Sequence, residues 1–453
     1  MNDPSDKPGL KAPREFARPW LRSERAVPRL VMRPLERFLE LESGSAVLLM
    51  GAAVAALVWV NVAAGSYKDL WATELRLDLG PLQLEEDLRH AVNDLLMAIF
   101  FYVVALEVKR EILFSSLRDP RSAAVPVAAA FGTMIGAALT YVAINVGDGE
   151  LRGWAIPIAT DIAFALGVLG LAGRRAPPEL RAFLLTLAIV DDLGTIAVIA
   201  IFYSSGLQAA WLAAGVGALL CMVMLQRVRV RLLVPYACLA AVVWVAAFKG
   251  GIHPTIAGVA LGFITPGIAF YPRRRTSEDI ARQINEIADS PDREVSETTM
   301  LHTAQLARET VSPLTRMEEQ LHPWSAYLIL PLFALANAGV PISASGIEDA
   351  LTGPVGVGIV LGLVVGAPLG GFLLAWLSVR AGGGRVPDGL DWPAIGAVAP
   401  LKGIGFTVAI FISLLAFDDP ALQEQAKLAI LVASAVAGLL GLSCLYVRHR
   451  LRS

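Results

Sequence analysis

The hydrophobic residues of this chain are grouped into long apolar segments that are separated by short polar ones. Windows of about 20 residues, the length that crosses a bilayer as a helix, predict twelve helices, several of them interrupted by Gly or Pro. The predicted helices cover residues 43–64, 91–112, 122–146, 154–173, 179–203, 207–226, 232–249, 252–269, 325–345, 355–379, 393–416 and 424–447. The pattern therefore predicts an all-α integral membrane protein with about 12 transmembrane helices.

The composition and the distribution of charge support this reading. Hydrophobic residues make up 55% of the 453 residues and charged residues 17%, whereas soluble domains carry roughly 25% charged residues. Basic residues cluster in alternate connecting segments, so the positive-inside rule places both termini in the cytoplasm. The formal net charge of −2 gives no reason to expect a nucleic-acid partner.

Polar segments flank and interrupt the predicted transmembrane domain, which extends over residues 43–447. Residues 1–42 are predicted to form a polar cytoplasmic N-terminal tail, and residues 448–453 a basic cytoplasmic C-terminus. Between predicted helices 8 and 9, residues 271–320 hold seven Arg and ten acidic residues. That composition predicts a solvated cytoplasmic loop insertion.

Three aspartates lie inside apolar segments. Asp161 is in predicted helix 4, and Asp191 and Asp192 are adjacent in predicted helix 5. An ionised aspartate at bilayer depth costs a few kcal/mol, so three of them favour an ion pathway over a purely structural role. Neighbours on a helix point about 100° apart, which argues against a simple dyad that shares one proton.

Predicted helices 4 and 11 contain residues that break helices. Pro157 precedes an Ala-Thr-Asp run in the first, and the stretch APLKGIGFTV interrupts the second. Broken helices are tolerated at membrane depth where their ends face a cavity or an ion. Because the breaks fall in the middle helix of two three-helix units, the pattern favours the inverted repeats of a secondary transporter. Two unrelated glycine-rich packing sites are the alternative.

These segments together resemble the NhaA-type sodium/proton antiporter family. The matching stretches include VNDLLMAIFFYVVALEVKRE, IPIATDIAFALGVLG, LAIVDDLGTIAVIAIFY, GGIHPTIAGV, LHPWSAYLILPLFALANAGV and GIGFTVAIFI, in the right order. The resemblance implies a homodimeric, multi-pass exchanger of the bacterial inner membrane in which helices 4 and 11 are interrupted and cross. It implies transported Na+ or Li+ and H+, a lipid bilayer as surroundings, and no cofactor.

The resemblance also implies residue roles. Asp191 and Asp192 would form the ion and proton site that holds Na+, with Asp192 the direct cation ligand. Thr160 and Asp161 would lie at the crossing, where Asp161 would offset the positive ends of the half-helices. Positions associated with pH response are matched by Glu107, Glu111, Glu318, His322 and, on the outward side, His253.

The chain departs from the family pattern in predicted helix 10. The family usually has a lysine in a Gly-Lys-Pro-Leu-Gly setting there, and this chain has Ala367 in that place. Lys402, inside the break of predicted helix 11, is a candidate for the missing charge compensation, because its ammonium could reach Asp191 or the half-helix ends. The alternative is that its stem extends to a watery funnel.

The sequence thus predicts a secondary active antiporter that extrudes Na+ or Li+ in exchange for external protons, with roles in sodium and pH homeostasis. Ions and protons would compete for the same aspartates during alternating access. A sodium-coupled organic-anion symporter of similar architecture is the main alternative. An enzyme is not expected, because an intramembrane aspartyl protease needs two aspartates that face one water from separate helices.

Overall fold

The computed structural model describes residues 44–78, 83–114, 120–147, 150–173, 177–204, 206–269, 271, 273–289 and 293–452. The predicted tail 1–42 lies outside these residues. Helices dominate the described part, together with one two-stranded sheet. The helices are α1 (Gly44–Val62), α2 (Ala64–Trp71), α3 (Leu88–Phe114), α4 (Pro120–Asn145), α5a (Leu151–Ile158), α5b (Ile162–Leu171), α6 (Pro178–Phe202), α7 (Ala209–Arg227), α8 (Leu233–Lys249), α9 (Pro254–Ile264), α10 (Arg273–Asp289), α11 (Arg293–Glu309), α12 (Pro313–Trp324), α13 (Leu330–Asn337), α14 (Ala344–Thr352), α15 (Pro354–Arg380), α16a (Trp392–Gly403), α16b (Phe406–Ala416) and α17 (Pro420–Arg452).

The apolar helices confirm a multi-pass membrane protein. Seven helices in the described residues are long and apolar enough to cross a membrane, namely α1, α3, α4, α6, α7, α15 and α17. The number rises to nine when each of two bent helix pairs is taken as one span. Each of the twelve predicted segments contains one of these helices or a shorter apolar one, and the count of twelve spans stays a prediction.

The two predicted interruptions are breaks between consecutive helices. The pair α5a and α5b bends by 42°, and the pair α16a and α16b bends by 45°. Pro157 lies in α5a, which is a 3₁₀ helix, and α16a ends in a 3₁₀ turn that contains Pro400. A proline removes a backbone donor and fixes its own φ, so it favours short or ending helices.

The segments that connect the apolar helices have structure of their own. Strands β1 (Glu74–Asp78) and β2 (Gln83–Asp87) form an antiparallel hairpin between α2 and α3, with Glu74 opposite Asp87. The described parts of residues 271–320 are helical, and Ser312 accepts a hydrogen bond from the amide of Thr315 at the start of α12. The polar connection is therefore folded into helices α10, α11 and the beginning of α12.

Close packing of α4 against α15 brings predicted helices 3 and 10 together beside the breaks. Gly132 and Gly136 in α4 face Gly366 and Gly370 in α15, and a Cβ on any of them would overlap the opposite backbone. Two small residues four positions apart on each helix allow this approach, as is common between membrane helices. The contact fixes the position of Thr133, which lies between the first two glycines.

Candidate ion-binding site

Asp161 joins the two breaks. It is the residue before α5b, and its Oδ1 accepts a hydrogen bond from the amide of Phe164 at 3.0 Å. Its Oδ2 accepts from the amide and the hydroxyl of Thr407, in the first turn of α16b, at 3.2 and 2.5 Å. The Asp161 amide donates to the carbonyl of Ile404 at 2.7 Å. One carboxylate therefore caps the N-termini of two half-helices, where the helix dipole is positive.

Asp191 lies in a buried polar network one step from this contact. Its Oδ2 is 2.5 Å from the Lys402 ammonium and accepts a hydrogen bond from the Thr160 hydroxyl at 3.2 Å. Its Oδ1 accepts from the Thr133 hydroxyl at 3.0 Å. Lys402 also donates to Thr160 at 2.8 Å. Asp191 and Lys402 are only 1% and 3% exposed, so the pair is a buried salt bridge whose remaining polar contacts hold its geometry.

Asp192 has a different environment from its neighbour. Its side chain is half-buried, and it has no hydrogen bond or ion pair with the described residues. The adjacent pair thus consists of one carboxylate that is paired with Lys402 and one that has no hydrogen bond or ion pair with the described residues.

Lys402 is held in the break of α16a and α16b, on the last 3₁₀ turn before Ile404. Its small exposed fraction means that its stem does not extend to a watery funnel. Ala367, the residue in place of the family's usual lysine, is fully buried at the point where α15 resumes after a π-helical segment. The intramembrane ammonium in this network therefore comes from α16a instead of α15.

The sequence reasoning missed two residues of this network. Thr133 donates to Asp191, and Thr407 donates to Asp161. Both are threonines inside apolar helices, and Thr133 lies between two glycines spaced four apart. A polar residue within such a close-packing motif was the signal that could have identified Thr133.

The residues predicted to respond to pH lie at two separate ends of α3. Glu107 and Glu111 are near its C-terminal end, where Arg110 is 2.6 Å from Glu318 and 3.8 Å from Glu111. His322 of α12 is 3.7 Å from Glu107. We call these five residues the acidic cluster. Glu318 is buried, and its second oxygen has no partner in the described chain.

The surroundings of the acidic cluster shift the pKa values of Glu318 and His322, its two members on α12. Burial raises the pKa of Glu318, and the Arg110 guanidinium opposes this shift. Burial also lowers the pKa of His322, and the charge of Arg110 lowers it further. A rise in pH therefore ionises Glu318 later than an exposed glutamate, and a fall in pH charges His322 later than an exposed histidine.

His253 lies at the opposite end of α3. Its Nε2 is 3.5 Å from Asp94, near the start of α3, and its Nδ1 is 2.9 Å from the hydroxyl of Thr255. The ring packs edge-on against Phe411 of α16b. The structure therefore brings together Thr160, Asp161, Asp191 and Lys402, whereas His253 and the acidic cluster have no hydrogen bond or ion pair with these four residues in the described chain.

Comparison with known proteins agrees with these features. Residues 36–445 match the family described as Na+/H+ antiporter 1. A protein of Rhodopirellula baltica named Na(+)/H(+) antiporter NhaA is 42% identical, and the alignment covers 91% of this chain and 94% of that protein. Proteins of the same name are 44% identical in Oleidesulfovibrio alaskensis, with 90% and 92% covered, and 42% identical in Janthinobacterium sp., with 97% and 96% covered.

The match extends over both helix breaks, the adjacent aspartates and most of the connecting segments. These relatives are named as transporters, and no enzyme family is indicated. The chain therefore belongs to the Na+/H+ antiporter 1 family of multi-pass membrane proteins.

Proposed function

We propose that this protein exchanges cytoplasmic Na+ or Li+ for external H+ by alternating access, and that cation and proton compete for Asp192. The observation that carries the proposal is the contrast between the two adjacent aspartates. Lys402 neutralises Asp191, whereas Asp192 is a carboxylate without a partner in the described chain. A carboxylate suits this exchange because it is a hard oxygen ligand when ionised and a neutral group when protonated.

Charge balance around the breaks favours the binding of one cation at a time. Asp161 is offset by the positive ends of α5b and α16b, and Asp191 by Lys402, so Asp192 contributes the remaining negative charge. A proton or a Na+ ion at Asp192 would neutralise the centre, and both together would leave an uncompensated positive charge in a low-dielectric region. Mutually exclusive occupancy follows, and it couples inward proton movement to outward Na+ movement.

Asp191 has a second part in the proposal. The Asp191 carboxylate is held by its salt bridge with Lys402 and by hydrogen bonds from two threonines. These contacts would last until an incoming Na+ ion competes with the Lys402 ammonium for the carboxylate. Thr160 bonds to both members of the pair, so it would keep the lysine and the aspartate in reach of each other after the pair opens. Thr160 would thereby position the side chains of Asp191 and Lys402.

We extend the proposal to the topology. Twelve transmembrane helices, with inverted repeats formed by predicted helices 3–5 and 10–12, would place the two breaks across from each other at mid-membrane. The contacts of Asp161 with Thr407 and Ile404 support such a crossing. Both termini would be cytoplasmic in the bacterial inner membrane, so the acidic cluster would face the cytoplasm and His253 the outside.

A homodimer is the oligomeric state that we propose. The two-stranded sheet supports it, because β1 and β2 pair only with each other within the described residues. Such exposed edges are suited to pairing with another chain.

The function is tested in everted membrane vesicles that have been acidified inside and loaded with a pH-sensitive dye. Added Na+ or Li+ should collapse the pH gradient in the absence of any organic solute. The Asp192→Asn variant should give no response at an equal amount of inserted protein. A response that requires an organic anion would support the symporter and contradict the proposal.

A further inference from the structure

A polar cavity of about 320 Å³ lies at the end of the molecule where α1 ends and α17 begins. Its walls come from α2, the start of α3 and the start of α17, and they include Trp71, Arg89 and Lys427. We call it the basic cavity. It lies at the opposite end of α3 from the acidic cluster.

The basic cavity is lined by hydrogen-bond donors that lack acceptors. Lys427 is only 6% exposed and has neither a hydrogen bond nor an ion pair with the described residues. Arg89 Nε and Trp71 Nε1 are buried and also have no partner in the described chain. The half-buried Arg89 guanidinium lies over the Tyr67 ring, 5.9 Å from its centroid, and this contact gives Nε no hydrogen-bond acceptor. Buried donors without an acceptor cost several kcal/mol. Their convergence on one cavity indicates a missing acceptor.

The acidic residues of the walls do not supply that acceptor. The Asp87 carboxylate accepts hydrogen bonds from the backbone and the ring of His90. Glu424 is exposed, one turn before Lys427 on α17, and it makes no ion pair with it. Because Lys68 also lines the cavity, three cations face two carboxylates there.

We propose that the basic cavity binds a phosphate group. A guanidinium, an ammonium and an indole N–H supply donors for several phosphate oxygens, and arginine and lysine are the usual phosphate ligands. The cavity lies at the ends of the apolar helices α1 and α17, which is the depth of lipid headgroups. Trp59, Tyr67 and Trp71 form a row of edge-to-face aromatic contacts beside it, and such residues are enriched at that depth.

A phospholipid headgroup therefore fits the position best, and a free phosphate ion has the same chemistry. Either ligand would connect α2 and α3 to α17 through one anion. Since binding to the folded state stabilises a protein by mass action, occupancy should be measurable as a rise in the melting temperature.

The test uses purified, delipidated protein in a phosphate-free maltoside detergent. Melting is followed after addition of dioctanoyl phosphatidylglycerol, of dioctanoylglycerol, which has the same chains without the phosphate, or of inorganic phosphate. We expect phosphatidylglycerol to raise the melting temperature by about 3 °C and dioctanoylglycerol to leave it unchanged. An equal rise with inorganic phosphate would support the site and identify the free ion as its ligand.

Variants test whether these residues form the site. Lys427→Met should melt at a higher temperature than the wild type without lipid, because it removes an unpaired buried charge, and it should lose the rise with phosphatidylglycerol. Arg89→Gln should lose most of that rise. Lys249→Gln, which removes a charge at the same end of the bundle but outside the cavity, should keep it. No rise in the wild type with either phosphate compound, or a full rise in Lys427→Met, would overturn the proposal.

Discussion

Asp191 and Asp192 are neighbours in one helix, yet their side chains have different surroundings. A helix turns about 100° per residue, so one side chain points to the helix breaks and finds Lys402, Thr133 and Thr160, and the other does not. The difference between the two carboxylates is therefore set by helix geometry and by what the facing helices supply.

The pair of Lys402 and Asp191 gives a prediction for stability. Lys402→Ala would leave Asp191 as an uncompensated buried charge, which costs about 3–5 kcal/mol, so a clear drop in melting temperature is expected. Adding Ala367→Lys to that variant should restore much of the stability, because a lysine in the middle of α15, directly after its π-helical segment, would supply the same charge. The idea of compensation is wrong if Lys402→Ala melts like the wild type or if Ala367→Lys restores nothing.

The acidic cluster gives a prediction for the pH at which exchange begins. Because the pKa of His322 is lowered, its ring is neutral at neutral pH, and it gains a repelling positive charge as the pH falls. His322→Gln should move the onset of exchange to lower pH by about half a unit, which corresponds to about 0.7 kcal/mol. Glu318→Gln removes a negative charge and leaves Arg110 without its 2.6 Å partner, so the onset should move to higher pH.

Fluorescence dequenching scanned over pH measures both shifts. Glu348→Gln, which changes an exposed charge on α14, is the control and should leave the onset unchanged. Superimposable profiles for the wild type and both cluster variants would make these residues ordinary interfacial charges.

At the level of elements, the two broken helices are held together by Asp161. Its hydrogen bonds satisfy backbone amides at the starts of both α5b and α16b, and the loss of either bond would leave an amide without its partner at a buried site. A residue with this role affects the shape of the site without having to bind the transported ion.

Asp161→Ala should therefore cost about 1–2 kcal/mol, lower the melting temperature and raise the apparent KM for Na+ while exchange persists. Asp391→Ala is the control, because Asp391 caps the start of α16a and pairs with Arg448 at 3.1 Å, away from the breaks. It should lower stability without a change in KM. Complete loss of exchange in a well-folded, stable Asp161→Ala protein would instead make Asp161 an obligatory ligand.

The contact of α4 with α15 gives a second prediction at this level. A Cβ at Gly370 would overlap the carbonyl oxygen of Gly132, so Gly370→Ala should push the helices apart and destabilise the protein by about 3 kcal/mol. Gly51→Ala in α1, where nothing lies within 4 Å of the added carbon, should be neutral or stabilising by about 0.5–1 kcal/mol. Equal melting temperatures for the two variants would contradict the packing argument.

Across the whole molecule, apolar length and helix-breaking residues were enough to predict the membrane class and the positions of both breaks. The adjacent aspartates and Lys402 could also be selected from the sequence, because charged residues in apolar segments are rare. The pattern left open whether Lys402 reaches Asp191, the half-helix ends or a watery funnel, since that depends on how α6 is rotated against α16a. Thr133 and the partnerless donors of the basic cavity were missed for the same reason: they are defined by contacts between distant segments.

Competition between Na+ and H+ at Asp192 is the central claim, and the pH dependence of Na+ binding tests it most directly. Calorimetry on the purified wild type should give an apparent Kd for Na+ that falls about tenfold for each unit of rising pH on the acidic side and then levels off. The same titration of Asp192→Asn, a variant that can neither take up the proton nor neutralise the cation, should show no Na+ binding. A wild-type Kd that is independent of pH, or wild-type affinity in Asp192→Asn, would contradict the claim.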